Sequence, residues 1–170
     1  MTAKGQQWDE EYRNGQWQSI AGEGVRYAGI ARLLTAAHSS ERMQLLDAGC
    51  GPGYLIQYVP QPATYTGLDI SGIALAEAPP GENLRYIHTS LEDFVPDRSF
   101  SAIVFNEVLY YCEFDAIIPR YAGYLEPHGI VLSSVYSGPG QLPGVATAVS
   151  DSLDQHCTVL HREQISVAIG

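Results

Sequence analysis

The sequence predicts an α/β protein built as a three-layer αβα sandwich around a mostly parallel sheet of seven strands. Short, nearly continuous apolar segments alternate along the chain with segments of helical spacing, which is typical of a parallel sheet covered by helices on both faces. A stretch with three glycines at alternate positions directly follows the first predicted strand. With 170 residues the chain is long enough to bury one core, so we expect a single domain over 1–170.

The elements are predicted from apolar spacing and from capping and breaking residues. Residues 1–23 are polar and aromatic and too irregular for a core element, so we expect them to form a lid on the core, 24–170. Pro119 either kinks the fourth long helix or starts it. Two apolar runs near the end of the chain predict an antiparallel hairpin. The predicted strands are 44–48, 65–68, 84–88, 102–105, 130–135, 157–160 and 165–169, and the predicted helices are 25–37, 54–58, 71–78, 114–125 and 145–153.

The composition argues against several classes of protein. Apolar residues at 45% and charged residues at 16% fit a globular protein, and no apolar run approaches the length of a membrane span. The formal charge is −10 and the nine basic residues are scattered singly, which argues against a nucleic-acid partner. The N-terminus has no apolar signal core, so we expect a cytoplasmic protein. The widely spaced Cys50, Cys112 and Cys157 indicate neither a disulfide framework nor a metal site.

The glycine stretch has the chemistry of a ligand-binding turn. Gly49, Gly51 and Gly53 allow the backbone to turn sharply and to approach a ligand closely at the carboxyl end of the first strand. Asp69 closes the second predicted strand, 20 residues after Gly49, about where a ribose-binding acid falls. Its carboxylate can accept hydrogen bonds from both ribose hydroxyls.

Two classes of ligand share this geometry. A dinucleotide-binding turn needs a further glycine where this chain has Tyr54, and Asp47 before the turn would repel a phosphate. The same acid suits a ligand that carries an ammonium and a sulfonium. The spacing therefore argues against a nicotinamide oxidoreductase.

Residues 46–53, Leu-Asp-Ala-Gly-Cys-Gly-Pro-Gly, resemble motif I of the class I S-adenosylmethionine-dependent methyltransferases. Four further blocks resemble the same family in the same order, at 68–71, 89–93, 100–111 and 125–129. Within the family, the stretch Glu-Val-Leu-Tyr-Tyr and the Trp- and Tyr-containing N-terminal segment look most like small enzymes of the nodulation N-methyltransferase type. The resemblance implies a Rossmann-like fold and S-adenosylmethionine as cofactor.

The resemblance also implies which residues hold this cofactor. The adenine region of the family often carries an aspartate where this chain has Ser90, so adenine selection would rest on Leu91, Glu92 and backbone amides. Asn106 ends the fourth strand, and we expect Trp17 to lie over the sulfonium in a cation–π contact. The expected cofactor-binding residues are Asp47, Gly49, Cys50, Gly51, Gly53, Asp69, Ile70, Ser90, Leu91, Glu92, Asn106 and Trp17.

Methyl transfer depends mainly on alignment and needs a general base only where the nucleophile starts protonated. The candidate bases are Glu107, Tyr110 and Tyr12, and Tyr110 and Tyr111 are candidates for the acceptor pocket. We expect transfer to a nitrogen or oxygen of a small molecule, by a monomer or homodimer with no nucleic-acid or membrane partner. The alternative is an S-adenosylmethionine-binding protein of the same fold without transfer, either a regulatory protein or a scaffold-type cyclase.

Overall fold

The computed structural model describes residues 2–17, 23–38, 43–60, 64–138, 140–141 and 143–164. In these residues five parallel strands form one sheet in the order β3-β2-β1-β4-β5. The strands are β1 (Gln44–Ala48), β2 (Thr64–Asp69), β3 (Leu84–His88), β4 (Phe100–Asn106) and β5 (Leu125–Ser134). The helices are α1 (Ala3–Arg13), α2 (Gly24–Ala37), α3 (Gly72–Ala76), α4 (Phe114–Ala122, with Pro119 inside it) and α5 (Val145–His156), with short 3₁₀ helices at Tyr54–Gln57 and Leu109–Tyr111.

Helices cover both faces of the sheet, which confirms the predicted three-layer arrangement. Successive side chains of a strand point to opposite faces, and the two buried clusters follow this rule. Leu45 of β1 packs in one cluster with Leu34 of α2. The next residue, Leu46, packs in the other cluster with Ile118 of α4 and Val149 of α5. No helix within the described ranges is long and apolar enough to cross a membrane.

The first five predicted strands are confirmed, and the largest difference in bounds is at β5. This strand starts earlier than predicted because Leu125 already pairs with Phe100. The register then shifts, and Ile130 pairs with Ala102. The intervening residues bulge out of the ladder, with His128 at a φ of 68°.

The predicted C-terminal hairpin is wrong in its first strand. The run 157–160 is irregular, and its apolar residues Val159 and Leu160 are 49% and 82% exposed. A short apolar run has little stability as a strand without a ladder partner, and β5 pairs only with β4 among the described residues. The run 165–169 lies outside those residues. The described sheet therefore has five strands instead of the predicted seven.

The N-terminal segment, in which the sequence predicts no core element, contains the regular helix α1. The Thr2 side chain caps this helix by accepting a hydrogen bond from the Gly5 amide at 3.1 Å. The buried residues of α1 are Gly5 and Asp9. Neither has an apolar side chain, so they do not produce the apolar spacing by which a helix is recognised in a sequence. Apolar spacing did not reveal this helix, because α1 is held by polar contacts and aromatic rings instead of an apolar stripe.

Asp9 fixes α1 against the rest of the molecule. Its Oδ1 accepts a hydrogen bond from the Ser71 hydroxyl at 2.7 Å and from the Ile73 amide at 3.1 Å. The Ser71 hydroxyl also accepts from the Ala74 amide at 3.1 Å, so Ser71 caps α3 while it binds Asp9. Near the N-terminus of α1, the Lys4 ammonium donates a hydrogen bond at 2.7 Å to the Tyr111 carbonyl, in the segment after β4. The helix therefore spans the carboxyl edge of the sheet.

Replacing Asp9 with alanine is expected to lower the free energy of unfolding by about 1–3 kcal/mol, because two buried donors lose their charged acceptor. Burial opposes ionisation, but the bonds from Ser71 and Ile73 hold the pKa of Asp9 below its ordinary value. The stabilisation is therefore present at neutral pH and disappears as the pH falls below about 4. Urea unfolding at several pH values measures this, with the exposed Glu10→Ala as control. Equal stability of D9A and E10A at pH 7 would contradict it.

Candidate ligand-binding site

The glycine turn lies at the carboxyl end of β1. The strand order of the sheet reverses at β1, because β2 and β3 lie on one side of it and β4 and β5 on the other. Ligands of open α/β sheets bind at such a point. Gly49, Gly51 and Gly53 have φ of 78°, 53° and 71°, which glycine adopts without strain. A Cβ on Gly51 would lie 2.8 Å from the Tyr12 hydroxyl oxygen of α1. The turn thus needs glycine both for its conformation and for the close approach of α1.

Asp69 holds the glycine turn at the end of β2 through a hydrogen bond. Its Oδ2 accepts a hydrogen bond from the Gly51 amide, and its Oδ1 accepts one from the Ser71 amide, both at 2.8 Å. Burial raises the pKa of Asp69, and these backbone bonds oppose that shift. Each carboxylate oxygen has a further lone pair. Asp69 can therefore hold the turn and still accept hydrogen bonds from hydroxyl groups in the cleft.

The Cys50 side chain packs the turn onto β2. A Cβ at Gly67 would lie 2.7 Å from the Cys50 sulfur, so the thiol fills the space beside that glycine. Burial raises the pKa of the thiol well above its ordinary value. The amides of Gly49 and Cys50 both donate to the Leu68 carbonyl at 2.8 Å. Cys50 is thus placed to support the turn through its side chain instead of contacting a ligand with it.

Asp47 lies buried at the end of β1, directly before the turn. Its Oδ2 accepts a hydrogen bond from the Tyr65 hydroxyl at 2.7 Å, whereas its Oδ1 is buried without a partner among the described residues. Burial raises the pKa of Asp47 to about 7; the Tyr65 bond opposes this shift and the charge of Asp69 adds to it. A buried carboxylate oxygen without a partner is unfavourable, so a proton or a nearby cation would stabilise it.

The turn after β3 forms the side of the cleft where adenine is expected. The Ser90 hydroxyl donates to the Asp93 carboxylate at 2.8 Å and accepts from the Asp93 amide at 3.1 Å, so it closes this turn. Leu91 is buried, and the Glu92 carbonyl accepts a hydrogen bond from Arg120 of α4. These contacts hold the backbone of the turn in place, a role that the sequence did not indicate for Ser90.

The end of β4 forms the opposite side of the cleft. The Asn106 Oδ1 accepts a hydrogen bond from the Ser134 hydroxyl of β5 at 2.8 Å. Glu107 follows in a left-handed conformation with a φ of 57°. Its Oε2 accepts from the Tyr110 hydroxyl at 2.9 Å and from the Tyr136 amide at 2.7 Å. A strained residue of this kind persists where its surroundings hold it, and these two bonds hold Glu107.

Arg26 reaches the same point from α2, and sequence reasoning missed it. Its Nη1 lies 2.7 Å from the Glu23 Oε2 and 3.7 Å from the Glu107 Oε1. Its guanidinium carbon lies 5.2 Å from the centre of the Tyr27 ring, and its Nε is buried with no partner in the part of the chain described. An arginine in the first turn of a helix usually lies in solvent. No local signal therefore distinguished it.

An aromatic cluster of five rings lies beside the cleft. The rings come from α1, from the segment after α1 and from the Leu109–Tyr111 turn, and they are Trp8, Tyr12, Trp17, Tyr110 and Tyr111. The Trp8 ring centre lies 5.3 Å from that of Trp17 and 4.9 Å from that of Tyr111, with the latter pair edge to face. Tyr12 lies 6.5 Å from Trp17, and Tyr110 lies 4.5 Å from Tyr111. The cluster joins α1 to the end of β4.

Two of the three expected bases are phenols whose ionisation is disfavoured. Burial and then the charge of Asp69 raise the pKa of Tyr12. Burial and then the charge of Glu107 raise the pKa of Tyr110. Both hydroxyls therefore stay protonated at neutral pH and act as donors. Among the three, Glu107 alone is a plausible proton acceptor.

One open cleft of about 1820 Å³ joins these groups. It exceeds the roughly 300–1,000 Å³ of ordinary small-ligand pockets because it is open and continues from the glycine turn along β5 to α5. No group of His, Cys, Asp and Glu side chains in the described ranges could hold a metal ion. Asp47 and Gly53 do not border the cleft. The other expected residues do: Tyr12, Trp17, Gly49, Cys50, Gly51, Asp69, Ile70, Ser90, Leu91, Glu92, Asn106, Glu107 and Tyr110.

Comparison with protein families gives one match over nearly the whole chain. The model of a family described as a methyltransferase domain matches residues 10–169. No curated protein matches the chain.

Several solved structures share the fold. The plantazolicin methyltransferase BpumL in complex with SAH has a TM-score of 0.55 and 17% identity, covering 68% of this chain and 48% of that chain. The N-methyltransferase NodS from Bradyrhizobium japonicum WM9 has a TM-score of 0.57 and 22% identity, covering 71% and 78%. The DhpI-SAM-HEP complex has a TM-score of 0.61 and 22% identity, covering 81% and 67%. The chain spans about half the length of BpumL.

Asp47→Asn is expected to change how stability depends on pH. Because burial raises the pKa of Asp47 to about 7, the folded protein binds a proton that the unfolded chain releases above about pH 4. The free energy of unfolding of the wild type therefore falls between about pH 4 and 7, by up to about 1.4 kcal/mol per pH unit from this residue. The variant lacks this contribution. Unfolding in urea across this range measures it.

The exposed Asp97→Asn serves as the matched control, since it removes a carboxyl that is bonded to Arg85 outside the cleft. D97N should keep the wild-type slope between pH 5 and 7. Parallel profiles for the wild type and D47N would contradict the assignment of the raised pKa to Asp47.

Proposed function

We propose that this chain, which belongs to the methyltransferase-domain family, transfers the methyl group of S-adenosylmethionine to a nitrogen or oxygen atom of a small molecule. The observation that carries the proposal is the position of Asp69. This carboxylate fixes the glycine turn through the Gly51 amide and also borders the cleft. A ribose bound there would place its hydroxyls against a charged acceptor, and such bonds contribute roughly 1.5–3 kcal/mol each.

The remaining residues fit the other parts of the cofactor. The turn at Ser90–Glu92 offers backbone amides and the apolar Leu91 side chain to an adenine ring. Asp47 directly precedes the turn without bordering the cleft, and its Oδ1 has no partner among the described residues, so a positive charge on a ligand at the turn would stabilise it.

When bound, S-adenosylmethionine supplies an electrophilic methyl group on a positively charged sulfur. The protein then has to align an acceptor with that carbon and exclude water, and alignment can lower the barrier by roughly 7–11 kcal/mol. We assign the exclusion of water to α1 and the aromatic cluster, with Tyr12 beside the glycine turn and Trp17 next to Tyr12 as the lid. Their ring faces suit a sulfonium.

Glu107 is the residue that we assign to the acceptor side. Its Oε2 holds the Tyr110 hydroxyl and the Tyr136 amide, and its Oε1 faces Arg26. Tyr110 then acts as a donor that orients the carboxylate, not as a base. Asn106 is placed by Ser134 at the border between the cofactor and the acceptor.

Asp69→Ala is expected to weaken binding of S-adenosylhomocysteine by about 2–3 kcal/mol, a loss of roughly 30- to 150-fold, since both ribose hydrogen bonds disappear. Isothermal titration calorimetry measures this, with the exposed Asp97→Ala as a control of equal size. Asp69→Asn keeps one acceptor oxygen for the turn and should lie between the two. Unchanged affinity in D69A would rule out Asp69 as the ribose ligand.

Transfer itself is tested with purified protein, methyl-labelled S-adenosylmethionine and a panel of small amines, phenols and carboxylates. The proposal predicts label in at least one acceptor. Tight binding of S-adenosylhomocysteine without transfer to any acceptor would favour the alternative of a binding or scaffold protein instead.

A further inference from the structure

We infer that the methyl acceptor is an amine that enters the cleft as an ammonium ion and is held by Glu107 and the aromatic cluster. This inference rests on the proposed function and narrows its acceptor from nitrogen or oxygen to nitrogen. It follows from the balance of charge in the cleft, from the geometry of the Glu107 carboxylate and from the rings beside it.

The walls of the cleft carry more negative than positive charge. Six acidic and three basic side chains line it. Every basic one has an acidic neighbour, so that Asp69 is left without an ion pair and Glu107 has to share Arg26 with Glu23. The neighbouring pairs are Lys4 with Glu92 at 3.9 Å, Arg26 with Glu23 at 2.7 Å, Arg162 with Asp154 at 2.6 Å and, from outside the cleft, Arg32 with Glu163 at 2.5 Å.

Arg26 faces two carboxylates and its single positive charge can neutralise only one of them. Its Nη1 lies 2.7 Å from Glu23 and 3.7 Å from Glu107, and the latter distance is too long for a hydrogen bond. Arg26 and Glu23 thus form a pair of zero net charge, and the three residues together carry one negative charge. A cation in the acceptor position is attracted by that charge, whereas a carboxylate or phosphate is repelled.

The Glu107 carboxylate has one oxygen available for a ligand. Its Oε2 accepts hydrogen bonds from the Tyr110 hydroxyl and the Tyr136 amide, while its Oε1 has Arg26 as its one neighbouring charged group among the described residues. The left-handed backbone at Glu107, with a φ of 57°, directs the residue out of the line of β4. Strained residues of this kind concentrate at functional sites.

The aromatic cluster supplies the second part of an ammonium site. Tyr110 and Tyr111 stand 4.5 Å apart, and Trp8 meets Tyr111 edge to face at 4.9 Å. Trp8, Tyr110 and Tyr111 all border the cleft, and Tyr111 is 39% exposed. A carboxylate beside several ring faces binds alkylammonium groups through charge and cation–π attraction together.

An ammonium ion must lose a proton before its nitrogen can act as a nucleophile. Here one N–H bond breaks, its electron pair stays on nitrogen, and the proton forms an O–H bond with the Glu107 Oε1. A neutral amine and a protonated Glu107 result, and Glu107 later returns the proton to water. The raised pKa of Tyr110 leaves its hydroxyl as a donor to Glu107 throughout.

The test uses the purified chain saturated with S-adenosylhomocysteine and the probes benzylamine, benzyl alcohol and benzoate. Calorimetry should show benzylamine binding at least about tenfold more tightly than either of the other two. Glu107→Gln should abolish this preference while S-adenosylhomocysteine affinity stays within about twofold of wild type. Glu107→Asp keeps the charge and should restore part of the preference. The exposed Glu113→Gln, outside the cleft, should behave as wild type.

Equal binding of benzyl alcohol or benzoate, or an unchanged preference in E107Q, would overturn the inference. Transfer of the labelled methyl group to phenols or carboxylates but to no amine would also overturn the inference. That result would still support the proposed function, because methyl transfer would have been observed. Failure of the wild type to bind S-adenosylhomocysteine would instead refute the proposed function, and the inference with it.

Discussion

The two hydrogen bonds from backbone amides to Asp69 are the constraint on which the rest of the site depends. One bond holds Gly51, and with it the turn after β1, and the other holds Ser71, where α3 begins. The Ser71 hydroxyl donates in turn to Asp9 of α1. One buried carboxylate therefore connects the turn, the short helix and the covering helix. Bonds to a charged acceptor of this kind contribute roughly 1.5–3 kcal/mol each.

The two ends of the cleft carry different chemical groups. The end at β1 and β2 presents backbone amides and Asp69, which suit a nucleoside. The end at β4 and α1 presents Glu107 and the aromatic cluster, which suit a small cation. Arg26 of α2 lies at this second end, paired with Glu23 and within 3.7 Å of Glu107.

Sequence reasoning succeeded where the determining interactions are local. The sharp turn at Gly49 and Gly51 and the end of β2 at Asp69 could be predicted, because alternate glycines and an acid after an apolar run each form a pattern over a few residues. It failed for α1, whose docking depends on Asp9 and on aromatic rings that have no helical period. Arg26 was missed for a related reason: its partner Glu107 is distant in the chain, and only folding brings the two together.

The most direct measurement is a crystal structure of this chain with S-adenosylhomocysteine. The structure described here predicts that the ligand lies across the glycine turn, with its ribose hydroxyls within hydrogen-bond distance of the Asp69 carboxylate and its sulfur facing Glu107. A ligand bound elsewhere, or a ribose turned away from Asp69 with the turn unchanged, would contradict the central role given to that residue.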